Sequence, residues 1–231
     1  MMASTAAQKR PRTASREVRR RQLIEATIDC IAEKGISGTT MAEVTKRAQL
    51  SMGLVSFHFQ SKENLLQETL VYLAEEHRAR WVESLAESEL APAAKLAAVM
   101  DAHFHPDACN PTRNAVWFAF FGEAPYRDVY RARIAGFDNE RAEIVTGLCR
   151  DMAAEGYPEV EPEEVAINLE SLADGLWLSI LLYPHWMAAQ DGRHQIHAFL
   201  RAIFPRHFET WPGQPLAALE HNPETPAEVT S

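Results

Sequence analysis

Aromatic side chains are concentrated in one stretch of this 231-residue chain, and a tryptophan with a carboxylate follows further on. An aromatic face attracts a cation that has no hydrogen-bond donors, such as a quaternary ammonium, and a nearby carboxylate adds a full negative charge. The candidates for such a cage are Trp117, Phe121, Tyr126, Tyr130, Asp174 and Trp177. Aromatic residues at helical spacing also fill ordinary hydrophobic cores, so each of them could instead be a packing residue.

A second group of residues, between Thr40 and Phe59, has the types and spacing needed to contact nucleic acid. The segment reads TMAEVTKRAQLSMGLVSFHF, in which two short amphipathic helical patterns flank a three-residue turn. That is the form of a helix-turn-helix, whose second helix enters the DNA major groove. The candidate contacts with bases and phosphates are Arg20, Thr40, Lys46, Ser51, Met52, Gly53, Ser56, Phe57, His58 and Lys62.

Several of these candidates also have a purely structural interpretation. Thr40 and Ser51 can cap helices, Phe57 can belong to the core, and the arginines of the 19–21 run can form a solvated face. Because the exposed residues of the second helix are small or apolar, much of the specificity would come from DNA shape and thymine methyl groups.

Charge is distributed unevenly along the chain, whose formal net charge is −9. Residues 1–60 contain 10 Lys and Arg against 5 Asp and Glu, whereas residues 61–231 contain 13 against 27. A basic amino-terminal quarter is the electrostatic footprint of a phosphate-binding module. The acidic remainder is expected to face away from DNA.

Other kinds of chemistry find little support in the sequence. His103 and His105 lie near two aspartates, but the i, i+2 spacing does not place both imidazoles on one helix face, so no metal is predicted. The chain has no Ser-His-Asp arrangement, phosphate-binding loop or nucleotide fingerprint, so neither an enzyme nor a cofactor is expected. With three scattered cysteines, no signal-peptide pattern and no apolar stretch judged long enough for a bilayer, the sequence predicts a cytoplasmic protein without membrane contact.

The elements that position these residues are predicted to be about nine helices, since no segment alternates as a strand does. The helix-turn-helix domain, which we call the reader, is followed by a long helix. After that helix, apolar helical patterns occupy about 93–106, 112–122, 126–154, 162–183 and 192–204. The predicted organisation is a disordered basic arm (1–15), a helix-turn-helix domain (16–60), a ligand-binding and dimerisation domain (61–205) and a disordered tail (206–231).

The motifs resemble those of the TetR family of transcriptional repressors. They are the basic first helix RRRQLIEA from residue 19, Thr40-x-x-x-Val44, Ala48-x-Leu50-Ser51-x-Gly53, and His58-Phe59-x-Ser61-Lys62-Glu63-x-Leu65-Leu66. The resemblance implies an all-α fold, in which a three-helix helix-turn-helix domain joins a larger helical bundle. It also implies a homodimer on a palindromic double-stranded operator, with a small-molecule effector bound in the bundle.

Dimerisation would use the last two long helices. The predicted interface residues are Leu169, Leu172, Leu176, Ile180, Phe199, Leu200 and Ile203.

A narrower resemblance concerns the BetI branch of this family, the choline-responsive repressors of glycine betaine synthesis. It is carried by residues 16–80, 115–121 and the run SLADGLWL at 171–178. It implies choline as effector and genes of choline uptake or glycine betaine synthesis as targets. The alternatives are a TetR-type repressor of another amine, a drug or an apolar metabolite, and an all-helical ligand-binding protein or enzyme that does not bind DNA.

The reader departs from the family pattern at three positions. Gln49 stands where the turn normally carries glycine, and a positive φ there would cost up to about 1 kcal/mol. Ser56 replaces a tyrosine of many members, as it does in BetI-like chains. His58 replaces the tyrosine of the BetI branch, so its presumed phosphate contact would come from an imidazole and could make DNA binding pH-dependent.

Overall fold

The computed structural model describes residues 16–86 and 91–209, and its regular secondary structure within those ranges is entirely α-helical. The helices are α1 (Arg16–Gly38), α2 (Met41–Ala48), α3 (Met52–Phe59), α4 (Lys62–Ser84), α5 (Pro92–His103), α6 (Pro111–Gly122), α7 (Arg127–Ala154), α8 (Pro162–Leu182) and α9 (Ala189–Ile203). The predicted all-α fold class is therefore confirmed.

Local sequence signals explain most of the helix boundaries. Thr40, Ser61 and Asn110 each accept a hydrogen bond from the backbone N–H three residues later, which satisfies an amide at a helix start. Helices α5, α6 and α8 begin with proline, whose missing N–H is not needed at the first helical position. Gly35, at φ 71°, interrupts α1 with a left-handed residue.

Three predicted boundaries are wrong. Helix α5 ends at His103, three residues early, and α9 begins at Ala189, three residues early. The Asp191 carboxylate accepts a hydrogen bond from Ala188 N (2.8 Å) and so stabilises the first turn of α9. Phe208 is buried, so the packed chain continues past the predicted tail boundary at 206. The predicted arm at 1–15 and the rest of the tail, 210–231, lie outside the described residues.

Two hydrophobic cores stabilise the fold. The proximal core combines the apolar faces of α1 to α4 with four residues of α6 and α7, namely Val116, Phe120, Tyr130 and Ile134. The distal core lies among the end of α4 and helices α5 to α9. Trp117 packs against both cores. Because the proximal core includes α6 and α7, packing does not separate the reader from the bundle at residue 60.

Most of the predicted dimer contacts are internal to the subunit. Leu169, Leu176, Ile180 and Leu200 are buried among helices of the same chain, and three further ones are half-buried, namely Leu172, Phe199 and Ile203. The prediction was wrong for the buried four because α6, α7 and α9 cover that side of α8. The exposed apolar residues along α8 and just after it are Ile167, Leu178, Leu182, Tyr183 and Trp186.

Helix α8 is also long and apolar enough to cross a membrane when judged by length and composition alone, which the sequence analysis did not anticipate. In the fold it packs against α6, α7 and α9, and its Glu170 pairs with Arg141 of α7. Those contacts are typical of a core helix.

Candidate DNA-reading face and ligand cavity

The turn between α2 and α3 has the geometry of a left-handed cap. Gln49 lies at φ 54° and ψ 40°, and Leu50 N donates a hydrogen bond to Thr45 O (3.0 Å) across the turn. A glutamine therefore adopts the conformation that glycine takes most easily, as the sequence predicts.

The outer surface of α3 and its cap form what we call the reading face, made of Ser51, Met52, Gly53, Ser56 and Phe57. All five are exposed, whereas Val55 and Phe59 on the opposite side are buried. Phe57 is 64% exposed, so it is not a core residue. Ser51 occupies the cap position without a side-chain capping bond, which leaves its hydroxyl available. A Cβ on Gly53 would meet only Ser51 Oγ, at 3.9 Å.

Two of the cations predicted to contact phosphate bind groups of the protein itself. Arg20 pairs with Glu68 (2.6 Å), and Lys62 Nζ donates to the carbonyl of Ile36 (2.9 Å). These two predicted phosphate contacts thus brace α1 against α4 in this structure. Lys46 is exposed and forms no ion pair with a described residue, and Thr40 is exposed at the start of α2.

Arg16 lies beside the reading face, and the surroundings of His58 disfavour its charged form. The Arg16 guanidinium lies 5.3 Å from the centre of the Phe57 ring, a contact that helical periodicity could not indicate. His58 is half-buried, and burial, followed by the charges of Arg16 and Arg20, lowers its pKa below the ordinary value. Its imidazole is consequently uncharged near neutral pH.

A cavity of about 240 Å³ lies between α4, α5, α6, α7 and α8. Of the predicted cage, Trp117, Phe121, Trp177 and Asp174 line it, and the Trp117 and Phe121 rings are stacked with centroids 6.1 Å apart. Phe118 and Phe137 also line it, although the sequence analysis did not select them.

The two tyrosines of the predicted cage do not line the cavity. Tyr126 is 50% exposed, before the start of α7. Tyr130 is buried in the proximal core, where its ring meets Phe120 edge-on at 4.9 Å. Their placement in the cage was wrong because Tyr130 packs into the proximal core against Phe120, and α7 lines the cavity only from Ile134 onward.

Charge around the cavity is unbalanced toward carboxylates. Arg141 binds Glu170 (2.5 Å) and lies 3.6 Å from Asp138. Burial opposes ionisation of Glu170, but the hydrogen bonds and charge of Arg141 outweigh it and lower its pKa. Burial raises the pKa of Asp138, and burial together with Glu170 raises that of Asp174. Three carboxylates therefore share one guanidinium.

Two buried imidazoles complete the wall. His77 of α4 and His103 of α5 meet edge-on with ring centroids 4.7 Å apart. Burial lowers the pKa of His103 to about 4 and that of His77 well below its usual value, so both rings are neutral at neutral pH. His77 is not among the residues predicted from the sequence, although it continues the buried stripe of Leu66, Leu70 and Leu73.

A polar cluster connects the cavity wall with the reader. Arg113 of α6 lies 3.2 Å from a carboxylate oxygen of Glu25 in α1 and 3.3 Å from one of Glu76 in α4. The Tyr72 hydroxyl lies 2.8 Å and 2.7 Å from the same two carboxylates. Arg113 precedes the cavity residue Trp117 by one helical turn, so α6 touches both the cavity and the first helix of the reader.

Two families of known proteins match separate parts of the chain. Residues 23–69 match the TetR family of bacterial regulatory proteins, and residues 92–205 match the C-terminal domain of BetI-type transcriptional repressors. The transcriptional regulator BetI of Burkholderia thailandensis is 35% identical over 168 residues, which cover 73% of this chain and 84% of the relative. The chain belongs to the TetR family.

TetR-family regulators bind operator DNA and small-molecule effectors and act as dimers, and this chain is a transcriptional repressor of that family, not an enzyme. Among solved structures, a transcriptional regulator from Pseudomonas aeruginosa PAO1 superposes with a TM-score of 0.72 at 24% identity, covering 85% of this chain and 95% of that one.

A regulator from Saccharomonospora viridis, solved in complex with choline, has a TM-score of 0.69 at 18% identity and covers 80% of this chain and 96% of its own. At such low identity these two structures establish the fold alone.

Proposed function

We propose that this TetR-family repressor responds to choline or a closely related quaternary amine, and that it controls genes of choline uptake or glycine betaine synthesis. The observation that carries the proposal is the cavity wall, which combines aromatic faces with an excess of carboxylate. The names of the BetI relatives and the choline complex of the Saccharomonospora viridis regulator support the same ligand.

Electrostatics favour a cation in this cavity. Asp138 and Asp174 are exposed residues, but partial loss of hydration at the cavity raises the pKa values of their carboxyl groups, and Arg141 is already held by Glu170. A ligand with a positive charge would stabilise both aspartates as carboxylates. Trp117, Phe121 and Trp177 supply the aromatic faces that a quaternary ammonium prefers, each contributing about 0.5–2 kcal/mol.

Size favours a small ligand. An engineered protein cavity of about 150 Å³ holds benzene, and drug-sized ligands usually occupy about 300–1,000 Å³. A cavity of about 240 Å³ lies between these values, so it suits a compact amine better than a long apolar metabolite.

For DNA binding we propose that the reading face enters the major groove while Lys46, Thr40 and the start of α3 contact phosphates. A homodimer would place two reading faces on a palindromic operator, with half-sites about 34 Å apart. The exposed apolar residues of α8 and the segment after it offer a surface for dimerisation. A protein working on operator DNA would be cytoplasmic.

Ligand and operator would communicate through α6 and α4. A ligand that repositions Trp117 moves α6, whose Arg113 holds Glu25 of α1. Such a movement changes the spacing of the two reading faces and weakens operator binding. Coupling between sites is commonly worth about 1–3 kcal/mol.

The proposal can be tested without knowing the operator in advance. Duplexes bound by the full-length protein would be selected from a random pool, and the affinity for the selected palindrome would then be measured with and without choline. We expect choline to weaken operator binding about 5- to 150-fold. The variant Phe121→Ala, which removes one cage face outside the fully buried core, should reduce this response and leave operator affinity unchanged in the absence of choline. An operator affinity that saturating choline leaves unchanged would refute the proposal.

A further inference from the structure

The two buried imidazoles of the cavity wall have no role in the attraction of a cation. His103 is 4% exposed and His77 is 9% exposed, and both line the cavity. The Nε2 atom of each ring is buried without a hydrogen-bond partner among the described residues. Buried polar atoms in native proteins nearly always have a partner, so two unpartnered nitrogens at one cavity point to a ligand group.

The protonation state of His103 follows from its surroundings. Its Nδ1 lies 3.1 Å from the carbonyl oxygen of Val99, and a carbonyl can only accept a hydrogen bond. Nδ1 therefore carries a proton. Since burial lowers the pKa of this ring to about 4, the ring holds a single proton at neutral pH, and Nε2 is a bare acceptor.

The acceptor is held next to the aromatic cage. Trp177 Nε1 donates a hydrogen bond to the backbone carbonyl of His103 (3.1 Å), and Asn114 Nδ2 donates one to the carbonyl of Trp177 (3.1 Å). The ring of His77 meets Trp177 edge-on, with centroids 5.7 Å apart. A ligand whose cationic head packs on Trp177 thus has the imidazoles within a short reach of its tail.

We propose that His103, with His77 beside it, accepts a hydrogen bond from a hydroxyl on the bound cation and so makes the cavity selective for a hydroxylated quaternary amine over a carboxylated one. This inference rests on the proposed function, since it concerns the tail of the same ligand. A carboxylate tail would face a nitrogen lone pair and the carboxylates of Asp138 and Asp174, whereas a hydroxyl would satisfy the unpartnered acceptor. Discrimination would come from repulsion as well as from attraction.

The test compares three ligands by calorimetric titration of the full-length protein. They are choline, propyltrimethylammonium, which has the same shape without the hydroxyl, and glycine betaine, which has a carboxylate. We expect choline to bind about 10- to 100-fold more tightly than propyltrimethylammonium, because only choline offers a donor to the acceptor that the protein leaves unpaired. Glycine betaine should bind more weakly than either.

A variant assigns the preference to one residue. His103→Phe keeps a ring of similar shape and should bring the ratio of the two affinities close to one. The control is His105→Phe, the same substitution at an exposed position two residues away, which should keep the wild-type ratio. The comparison of choline with propyltrimethylammonium on the unmodified protein tests the preference for a hydroxyl by itself. A poorly folded variant would therefore not leave that preference untested.

The outcomes separate this inference from the proposed function. Equal affinities for choline and propyltrimethylammonium would overturn the role of the imidazoles and leave the cation site in place. A preference that survives in His103→Phe would overturn the assignment to that residue. Absence of binding by all three ligands would overturn both this inference and the choline proposal.

Discussion

The reading face and the ligand cavity differ in how completely the charged groups around them are paired within the protein. Near the reading face, Arg20, Lys34 and Arg47 are each paired with a glutamate of the same subunit, so the protein's own carboxylates satisfy them. Around the cavity, three carboxylates compete for Arg141, and two imidazole nitrogens lack hydrogen-bond partners among the described residues.

This difference indicates what each region does. The reader's internal ion pairs hold three helices in a fixed relation, and its functional residues are small groups on a rigid exposed surface. Around the cavity, charged groups and hydrogen-bond acceptors are incompletely paired by the described residues. Such incomplete pairing is typical of a site that binds a ligand.

The largest effect should come from filling the reading face. Gly53→Leu places a side chain where the structure has open space, and leucine is more favourable than glycine in a helix by up to about 1 kcal/mol. We expect thermal stability to be maintained or raised, while operator affinity falls at least about 10³-fold, to the level of non-specific binding. Melting curves and fluorescence anisotropy with the selected operator measure the two effects. Ser56→Ala is the milder control on the same face, and operator binding by Gly53→Leu within about tenfold of wild type would exclude close backbone approach at this position.

The next effect concerns the cavity. In the double variant Asp138→Asn, Asp174→Asn we expect choline affinity to fall about 10- to 100-fold, because two charges that a cation would face are removed. Operator affinity without choline should not change. Asp151→Asn, at an exposed position of α7, is the control.

The same two aspartates predict a dependence on pH. Since burial raises their pKa values, wild-type choline affinity should decrease as the pH falls through those values, at a pH above the ordinary aspartate range near about 3.9. The stability of the ligand-free fold should change in the opposite direction: a raised pKa gives a contribution that is present at low pH and lost as the pH rises. Titrations and melting curves at several pH values would show both trends, and choline affinity that is independent of pH in this range would contradict the account.

A smaller effect is expected where the two regions meet. Tyr72→Phe removes the hydroxyl that lies between Glu25 and Glu76, and should cost about 1 kcal/mol of stability. We expect the variant to bind both choline and operator DNA. The factor by which choline weakens operator binding should be about 3- to 10-fold smaller than in the wild type. Tyr130→Phe removes a hydroxyl from the same core outside this cluster and should leave the coupling intact. If Tyr72→Phe retains full coupling, the cluster does not carry the signal.

The smallest effect is expected at His58. Its lowered pKa keeps the imidazole uncharged near neutral pH, so its charge should not make operator binding pH-dependent between about pH 6.5 and 8. His58→Gln should change the pH profile of operator affinity by less than about twofold. A rise in affinity below pH 7 that this variant abolishes would mean that His58 is charged on DNA.

The two regions also differ in how far the sequence could predict them. The reading face lies on one short helix, so helical spacing alone separates Gly53 and Phe57 from Val55. The partners of Arg20 and Lys62 could not be predicted, because they depend on how α1 packs against α4.

The cavity is formed by five helices, and its lining depends on their relative rotation. Trp117 and Trp177 line the cavity, whereas Tyr126 and Tyr130 face elsewhere. Packing of α7 against α4 and α6 decides that difference, and helical spacing within α7 cannot reveal it. The sequence connects His103 only with a possible metal site, because its position opposite His77 requires the contact between α4 and α5.

We propose that one cation site is coupled to one DNA-reading face. The most direct measurement is a calorimetric titration of choline into the full-length protein, once free and once saturated with the selected operator. We predict saturable binding near one site per subunit, weakened by operator by the same factor by which choline weakens operator binding, as linkage requires. Identical choline affinities with and without operator, or no binding at millimolar choline, would contradict the account.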